Sequence, residues 1–370
     1  MSQPAIVEEF LELVRLNVNS RRERFIADVV AAKLRALGLT VEEDNTGGKI
    51  GGDVGSLIGR LPGDPAKPSL MFSAHLDRVE NHGQIQPRIE DGIIQSDGTS
   101  ILGADDVSGI CAILEALRRV RSENIPHGEI EVVLSVAEEV GLLGARYLDY
   151  SKIKSKMAFV IDSGGPVGTV VNQAPTQYTI TVNITGWSAH AGIEPEKGLS
   201  AIRVGAVALS RLQEGRLSPR TTSNFGVFTA GKATNIVCGQ AEIKGEARSI
   251  DQAELSAYIE EVKSVFAQTA QEFGAEITVE TNLEYQTFTV DPGEEIIALA
   301  GRALKNLGLE MRVVGSGGGM DGNFFNQNGL KAVGLAPGYT GVHTPQEKQP
   351  IADLIKCGQW VTEIIRESAK

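Results

Sequence analysis

Apolar residues in the first half of the chain come in short continuous blocks, each followed by a stretch with helical spacing. "SLMFSA" (69–74) precedes the helical run "DDVSGICAILEALRRVRS" (105–122). "EIEVVLSVA" (129–137) precedes a short helix around "LLGARYLD" (142–149), and "MAFVID" (157–162) closes the series. Strands apolar on both faces, alternating with helices, predict a mostly parallel sheet with helices on both faces. Two helical segments precede this region, the first being the amphipathic, acid-then-basic stretch "MSQPAIVEEFLELVRLNVNSRRERF".

The period changes at residue 177. "QYTITVNITG" alternates Tyr178, Ile180, Val182 and Ile184 against polar neighbours, as a strand with one wet face does. A helix over "KGLSAIRVGAVALSRLQ" is expected to bury a stripe of Leu199, Ile202, Ala206 and Leu209. The strands "SNFGVFTA" and "QAEIKGEAR" follow, then the helix "AELSAYIEEVKSVFAQTAQEF" and the strand "AEITVETNL". The second of these strands puts Ala241, Ile243, Gly245 and Ala247 on one face and Glu242, Lys244, Glu246 and Arg248 on the other. The order β-α-β-β-α-β is that of a ferredoxin-like domain. The α/β pattern returns near residue 290 with "GEEIIALAGRALKNLG", "MRVV", "KAVGLA" and a helix from about Ile351. The chain therefore reads as one catalytic α/β domain, residues 1–174 and 289–370, interrupted by a smaller α+β ferredoxin-like domain at 175–288. The free sheet face of the insert is open to water or to a second copy of the chain, so it serves as a candidate lid and homodimer surface.

Composition narrows the class. The 370 residues are 42% hydrophobic and 22% charged, the balance of an ordinary globular protein. A net charge of −12 argues against nucleic acid, whose phosphates demand clustered cations. Three scattered cysteines, Cys111, Cys238 and Cys357, form neither a disulfide framework nor a cysteine-rich zinc site. No stretch has the pattern of a secretory signal or the length of a membrane span, and the expected location is the cytoplasm.

Open α/β sheets bind ligands at the carboxyl ends of their strands. Here "SLMFSA" ends at His75 and Asp77, "EIEVVLSVA" at Glu138 and Glu139, and "MAFVI" at Asp162. The loop beyond "KAVGLA" carries His343, and "GADDVSG" sets Asp105 and Asp106 at a helix start. Each has a plain structural reading: a helix cap, a solvated pair or a turn residue. As a set at one sheet edge they crowd like charges together, and a bound cation would relieve that crowding.

The ordered motifs "SAHLDRV", "LGADDVSGI", "AEEVGLLGA", "VIDSGG", "SAHAGIEPEKG", "GSGGGMDGN" and "GVHTPQE" resemble the peptidase T-like branch of the co-catalytic zinc exopeptidases. Aminoacylases and glutamate-releasing carboxypeptidases share that wider family, and the likeness runs from about residue 70 to 350. It implies two Zn²⁺ ions, with Mn²⁺ or Co²⁺ also compatible with imidazole and carboxylate ligands. His75 and Asp162 would hold one ion and Glu139 and His343 the other. Asp105 would bridge both, with Asp106 the less suited neighbour. Asp77 would accept from the second nitrogen of His75, and Glu138 would be the general base.

In the insert, the same resemblance makes His190 the group that stabilises the oxyanion. It makes Asn235 and Arg248 substrate-holding residues, and has the backbone of the Gly318–Gly319 loop approach the ligand. Two positions depart from the pattern: Val107 stands where peptidase T-like proteins often have Lys, and Ser316 where tripeptidases often have Arg. His82 and His127 match no motif and read as surface residues. The implied activity is release of the N-terminal residue from short peptides. A carboxypeptidase or N-acyl-amino-acid deacylase on the same metal site is the alternative, and a catalytically silent peptide-binding protein a more remote one.

Overall fold

The computed structural model describes residues 4–79 and 84–370, so His82 lies outside the described residues. The chain forms two compact units, one of Met1–Ala174 with Phe288–Lys370 and the other of Pro175–Thr287.

The first unit is built on a nine-stranded sheet. Its order is Thr40–Glu43, Leu57–Leu61, Ile130–Ser135, Leu70–His75, Met157–Val160, Lys331–Leu335, Thr169–Ala174 and Phe288–Thr289, with Arg312–Gly315 also paired to Thr169–Ala174. The four central strands, from Ile130–Ser135 to Lys331–Leu335, run parallel, and antiparallel partners flank them on both sides. The expected mostly parallel α/β sheet is thus found at its centre. There Leu70–His75 and Ile130–Ser135 are buried at every residue, as strands covered on both faces must be.

The helix Ala104–Ser122 packs on Leu70–His75 and is itself covered by Ala5–Val14 and Ile351–Ser368. Trp360, fully buried on the last of these, donates its indole N–H to the Ala300 carbonyl at 3.1 Å. The short helices Leu143–Tyr147 and Gly322–Gln327 contact Ile130–Ser135 and Lys331–Leu335 respectively. Cys111 and Cys357 are buried among these helices as inert thiols. His127 is half-buried, its Nδ1 2.7 Å from the Gly128 carbonyl. A separate three-stranded sheet pairs Arg88–Glu90, Ile93–Gln95 and Lys348–Pro350. Its hairpin turns on Asp91 and Gly92, both at positive φ (48° and 77°), the conformation a tight hairpin requires.

The second unit holds a sheet ordered Gly215–Arg216, Thr221–Ala230, Gln240–Ser249, Thr176–Thr185 and Glu276–Tyr285, antiparallel throughout. Helices Ala201–Leu209 and Gln252–Phe273 pack on Gln240–Ser249. Ile180, Val182, Ile184, Ala241, Ile243 and Ala247 meet the helices in one core.

Of the helical stripe expected at Leu199, Ile202, Ala206 and Leu209, Leu199 and Leu209 pack against the core, whereas Ile202 and Ala206 are exposed. Ser200 caps the helix through its side chain, and the buried face is Ala201, Val204, Gly205 and Ala208, leaving Ile202 44% exposed. Close approach decides this phase: a Cβ on Gly205 would sit 2.8 Å from the Phe228 ring and 3.0 Å from Ile184. Small residues face the sheet because larger ones do not fit.

Gly109 makes a comparable close approach in the first unit. A Cβ there would lie 2.4 Å from the Ile161 carbonyl oxygen and 2.6 Å from the Asp106 carboxylate. Gly109→Ala is expected to lower stability by about 1–3 kcal/mol, the usual cost of overpacking. Urea unfolding checks this, and metal affinity should fall with it because Asp162 follows the displaced strand.

Candidate metal centre and active site

The charged groups of the candidate site sit at the ends of strands, at a helix start and in the loop that follows Lys331–Leu335. Leu70–His75 ends on His75, whose Nδ1 lies 2.9 Å from the main-chain carbonyl of Asp77. With Nδ1–H donating to that carbonyl, Nε2 is left as a lone pair, and it faces Asp105 Oδ1 at 3.0 Å. Two electron-pair donors at that distance require a proton or a cation between them. His343 also turns Nε2 toward carboxylates, 3.3 Å from Asp105 Oδ2 and 3.0 Å from Glu139 Oε2.

Two groups of donor atoms result, one of His75, Asp105 and Asp162 and the other of Asp105, Glu139 and His343, each within 4.8 Å. Asp105 belongs to both, with one carboxylate oxygen toward each histidine. Asp106 is turned away: its carboxylate accepts from the main-chain N–H groups of Gly109 at 3.0 Å and His75 at 3.3 Å. The peptide bond between these two aspartates is cis.

Titration behaviour shows how much positive charge the cluster lacks. Burial pushes Asp162 up to about 8, with the Asp105 charge adding to the effect. Burial and the Asp162 charge likewise hold Glu138 well above the ordinary carboxylate range. Burial also works to raise Asp105, but hydrogen bonds with His343 and His75 hold it low. Those bonds to Asp105 and Glu139 push His343 up to about 10. Carboxylates and imidazoles this close, sharing protons for want of other positive charge, fit a pair of divalent cations.

Asp77 stands behind His75 as expected, its carbonyl 2.9 Å and its carboxylate oxygen 3.5 Å from the same Nδ1. The carboxylate also accepts from the N–H groups of Glu138 (2.9 Å) and Glu139 (3.2 Å) and from Ser20 Oγ (2.6 Å). It therefore holds the main chain of the two glutamates. Ala137, just before them, has φ +52°, a bend that ends the strand direction. Glu138 is buried and belongs to neither donor group, whereas Glu139 does.

Three contributors lay unmarked in motifs quoted for other residues, or outside them. The Tyr339 hydroxyl donates to Asp162 Oδ1 at 3.0 Å. Glu347 accepts from the amides of Gly103 (2.5 Å), Ala104 (3.1 Å) and Asp105 (3.3 Å), bracing the Asp105 turn. Asp321, next to the glycine loop, is buried, and burial pushes it up to about 6. Pairing of Thr340 with Lys348 anchors the loop holding Tyr339, His343 and Glu347. The His343 backbone sits at φ +61°. The Gly318 amide is already engaged, donating to Ser316 Oγ at 3.0 Å, and Gly319 is half-buried in the same loop.

In the inserted unit, His190 and Asn235 lie side by side. The Ala191 N–H donates to the Asn235 carbonyl at 2.9 Å, and His190 bridges to Ile236. His190 is exposed, and its Nδ1 accepts from the Gly192 N–H at 3.2 Å, which leaves the proton on Nε2. Arg248 faces Glu246, donating from Nε and Nη2 at 2.9 Å each. The sequence places the two on one strand face but does not reveal that they pair.

A sheet edge where carboxylates and imidazoles converge into two donor groups, with one more buried glutamate beside them, is the centre of a metal-dependent hydrolase. Comparison with known proteins identifies it further. Residues 71–367 match the description Peptidase family M20/M25/M40, and the chain belongs to this family. It is 39% identical to the protein YqjE of Bacillus subtilis (strain 168) over the full length of both chains. The structure of aminopeptidase PepT from Bacillus cereus ATCC 10987 superposes with a TM-score of 0.88 at 41% identity, covering 99% of this chain and 98% of that one. A tripeptidase (SAV1512) from Staphylococcus aureus subsp. aureus Mu50 gives 0.93 at 37%, covering 98% of each chain. The chain is a metallopeptidase of the peptidase T-like branch. Among the described residues no helix is long and apolar enough to cross a membrane.

The shared carboxylate makes a stoichiometric prediction. His343→Ala should leave one tightly bound metal equivalent, and Asp105→Ala should weaken both, as read by metal analysis after dialysis. Equal losses in the two variants would remove Asp105 from its bridging position.

Proposed function

We propose that the protein is a di-zinc aminopeptidase that removes the N-terminal residue of short peptides, with Glu138 as general base. The observation that carries this reading is the division of labour between adjacent glutamates. Glu139 lies with Asp105 and His343, while Glu138 stands buried beside both donor groups and in neither. His75 and Asp162 would hold one ion, Glu139 and His343 the other, and Asp105 would serve both.

When bound, the two ions polarise the scissile carbonyl and lower the pKa of the attacking water. Glu138 takes the proton of that water and passes it to the leaving amine. His190, with its proton on Nε2, donates to the developing oxyanion. Asn235 and Arg248 hold the substrate. Arg248 can grip a free C-terminal carboxylate with the same two-pronged geometry it offers Glu246.

Glu138→Gln should keep both metal equivalents and lose turnover by about 10²–10⁴-fold, the usual worth of a positioned acid–base group. Loss of metal in this variant would instead make Glu138 a ligand. The substrate test uses a free tripeptide, its N-acetylated form and its C-terminal amide, each with chelator and with zinc, manganese or cobalt restored. Chelator-sensitive release of the first residue from the free tripeptide is expected. Cleavage of the acetylated peptide, or release from the C-terminal end, would move the protein to the deacylase or carboxypeptidase alternative, and no turnover with any metal to a silent binder.

A further inference from the structure

We propose that Glu23, in the turn between the first two helices, is a positioning residue for the catalytic base, holding the bend that presents Glu138. The proposal rests on the reading of Glu138 as base and adds to it a residue far away in the sequence.

Three consecutive main-chain N–H groups, those of Ala137, Glu138 and Glu139, leave the end of the strand Ile130–Ser135, and each is taken by a buried carboxylate. Asp77 accepts from the last two, as described above. Glu23 accepts from the first: its Oε1 lies 2.9 Å from the Ala137 nitrogen and 2.8 Å from the Arg21 nitrogen. Glu23 is 0% exposed, although the only regular element it adjoins, the helix Arg24–Ala36, receives no side-chain cap from it. A carboxylate buried without serving its own helix is expensive unless another group needs it.

The group that needs it is Ala137. A non-glycine residue at φ +52° is strained and persists only where its surroundings hold it. The next residue is Glu138, so this bend determines which of two adjacent glutamates points toward the donor groups. The Glu23 segment is itself anchored. Arg22 N–H bonds the Asn19 carbonyl at 2.9 Å, Asp53 N–H bonds the Arg21 carbonyl at 3.2 Å, and Ser20 Oγ reaches the same Asp77. Ser20 and Glu23 thus form a bracket that grips the Ala137–Glu139 main chain, directly through Glu23 and through Asp77 for Ser20.

Both bonds converge on one oxygen, so a glutamine can replace them through its carbonyl, whereas alanine cannot. Glu23→Ala is expected to lower kcat by about 10- to 100-fold, the range for losing a group that orients an active-site residue. KM should stay within a few-fold and metal content should not change. Glu23→Gln should recover most of kcat. Hydrogen exchange of the metal-free protein, followed by mass spectrometry over residues 136–140, should quicken in Glu23→Ala and not in Glu23→Gln.

If Glu23→Ala does not accumulate, Glu23→Met fills the space without a comparable acceptor and takes its place. Failure of both to accumulate would assign Glu23 to the fold alone and overturn the proposal. Unchanged kcat in the acceptor-free variant, or equal loss in Glu23→Gln, would overturn it too. Glu138→Gln, measured alongside, separates the two ideas: full turnover there removes Glu138 as base, whereas inactive Glu138→Gln with normal Glu23→Ala removes only the positioning role.

Discussion

One shared carboxylate organises the catalytic unit. Asp105 offers one oxygen to the Nε2 of His75 and the other to the Nε2 of His343. Each contact needs a proton or a cation between the two atoms, and the surrounding carboxylates leave the cluster short of positive charge. The surrounding structure must hold the groups in place until positive charge compensates them. Much of the first unit can be understood as that scaffold, from Glu347 under the Asp105 turn to Tyr339 against Asp162.

The scaffold relies on main-chain amides as much as on side chains. Glu347 takes three successive N–H groups, and Glu23 and Asp77 take another three. Each set lies where a strand or helix begins or ends, so the amides have no partner within the element and are available. Backbone strain falls at the same places: Ala137, just before the proposed base, and His343, a proposed ligand, both hold positive φ. Arg78 adds a structural tie, its guanidinium reaching the carbonyls of Leu13 and Val14 at the end of the first helix while its side chain crowds Gly103 before the Asp105 turn.

The inserted unit follows a different logic. Its sheet and two helices close around a small core in which Gly205 and Ala208 let helix and sheet approach. Its polar residues are committed to one another more than their spacing suggests. Arg248 is paired with Glu246, and Gln177 also donates to Glu246 at 2.8 Å. Any carboxylate approaching Arg248 would therefore compete with a glutamate already in place.

The sequence by itself determined the alternation of strands and helices, the change of period at the insert, and the residues at the strand ends. These are local properties: burial on both faces writes continuous apolar runs, and chemistry at a sheet edge writes charged residues just beyond them. Even so, the spacing alone does not find the full buried face of the helix Ala201–Leu209, which is chosen by the width of the gap to Phe228 and Ile184 and exposes Ile202 and Ala206. Only the tertiary structure decided that Asp77 holds the Glu138–Glu139 main chain, that Glu246 occupies Arg248, and that Tyr339, Glu347 and Glu23 support the site. Those roles rest on contacts between residues as much as 244 positions apart, such as Gly103 and Glu347, made through amides and single oxygens that leave no period in the sequence.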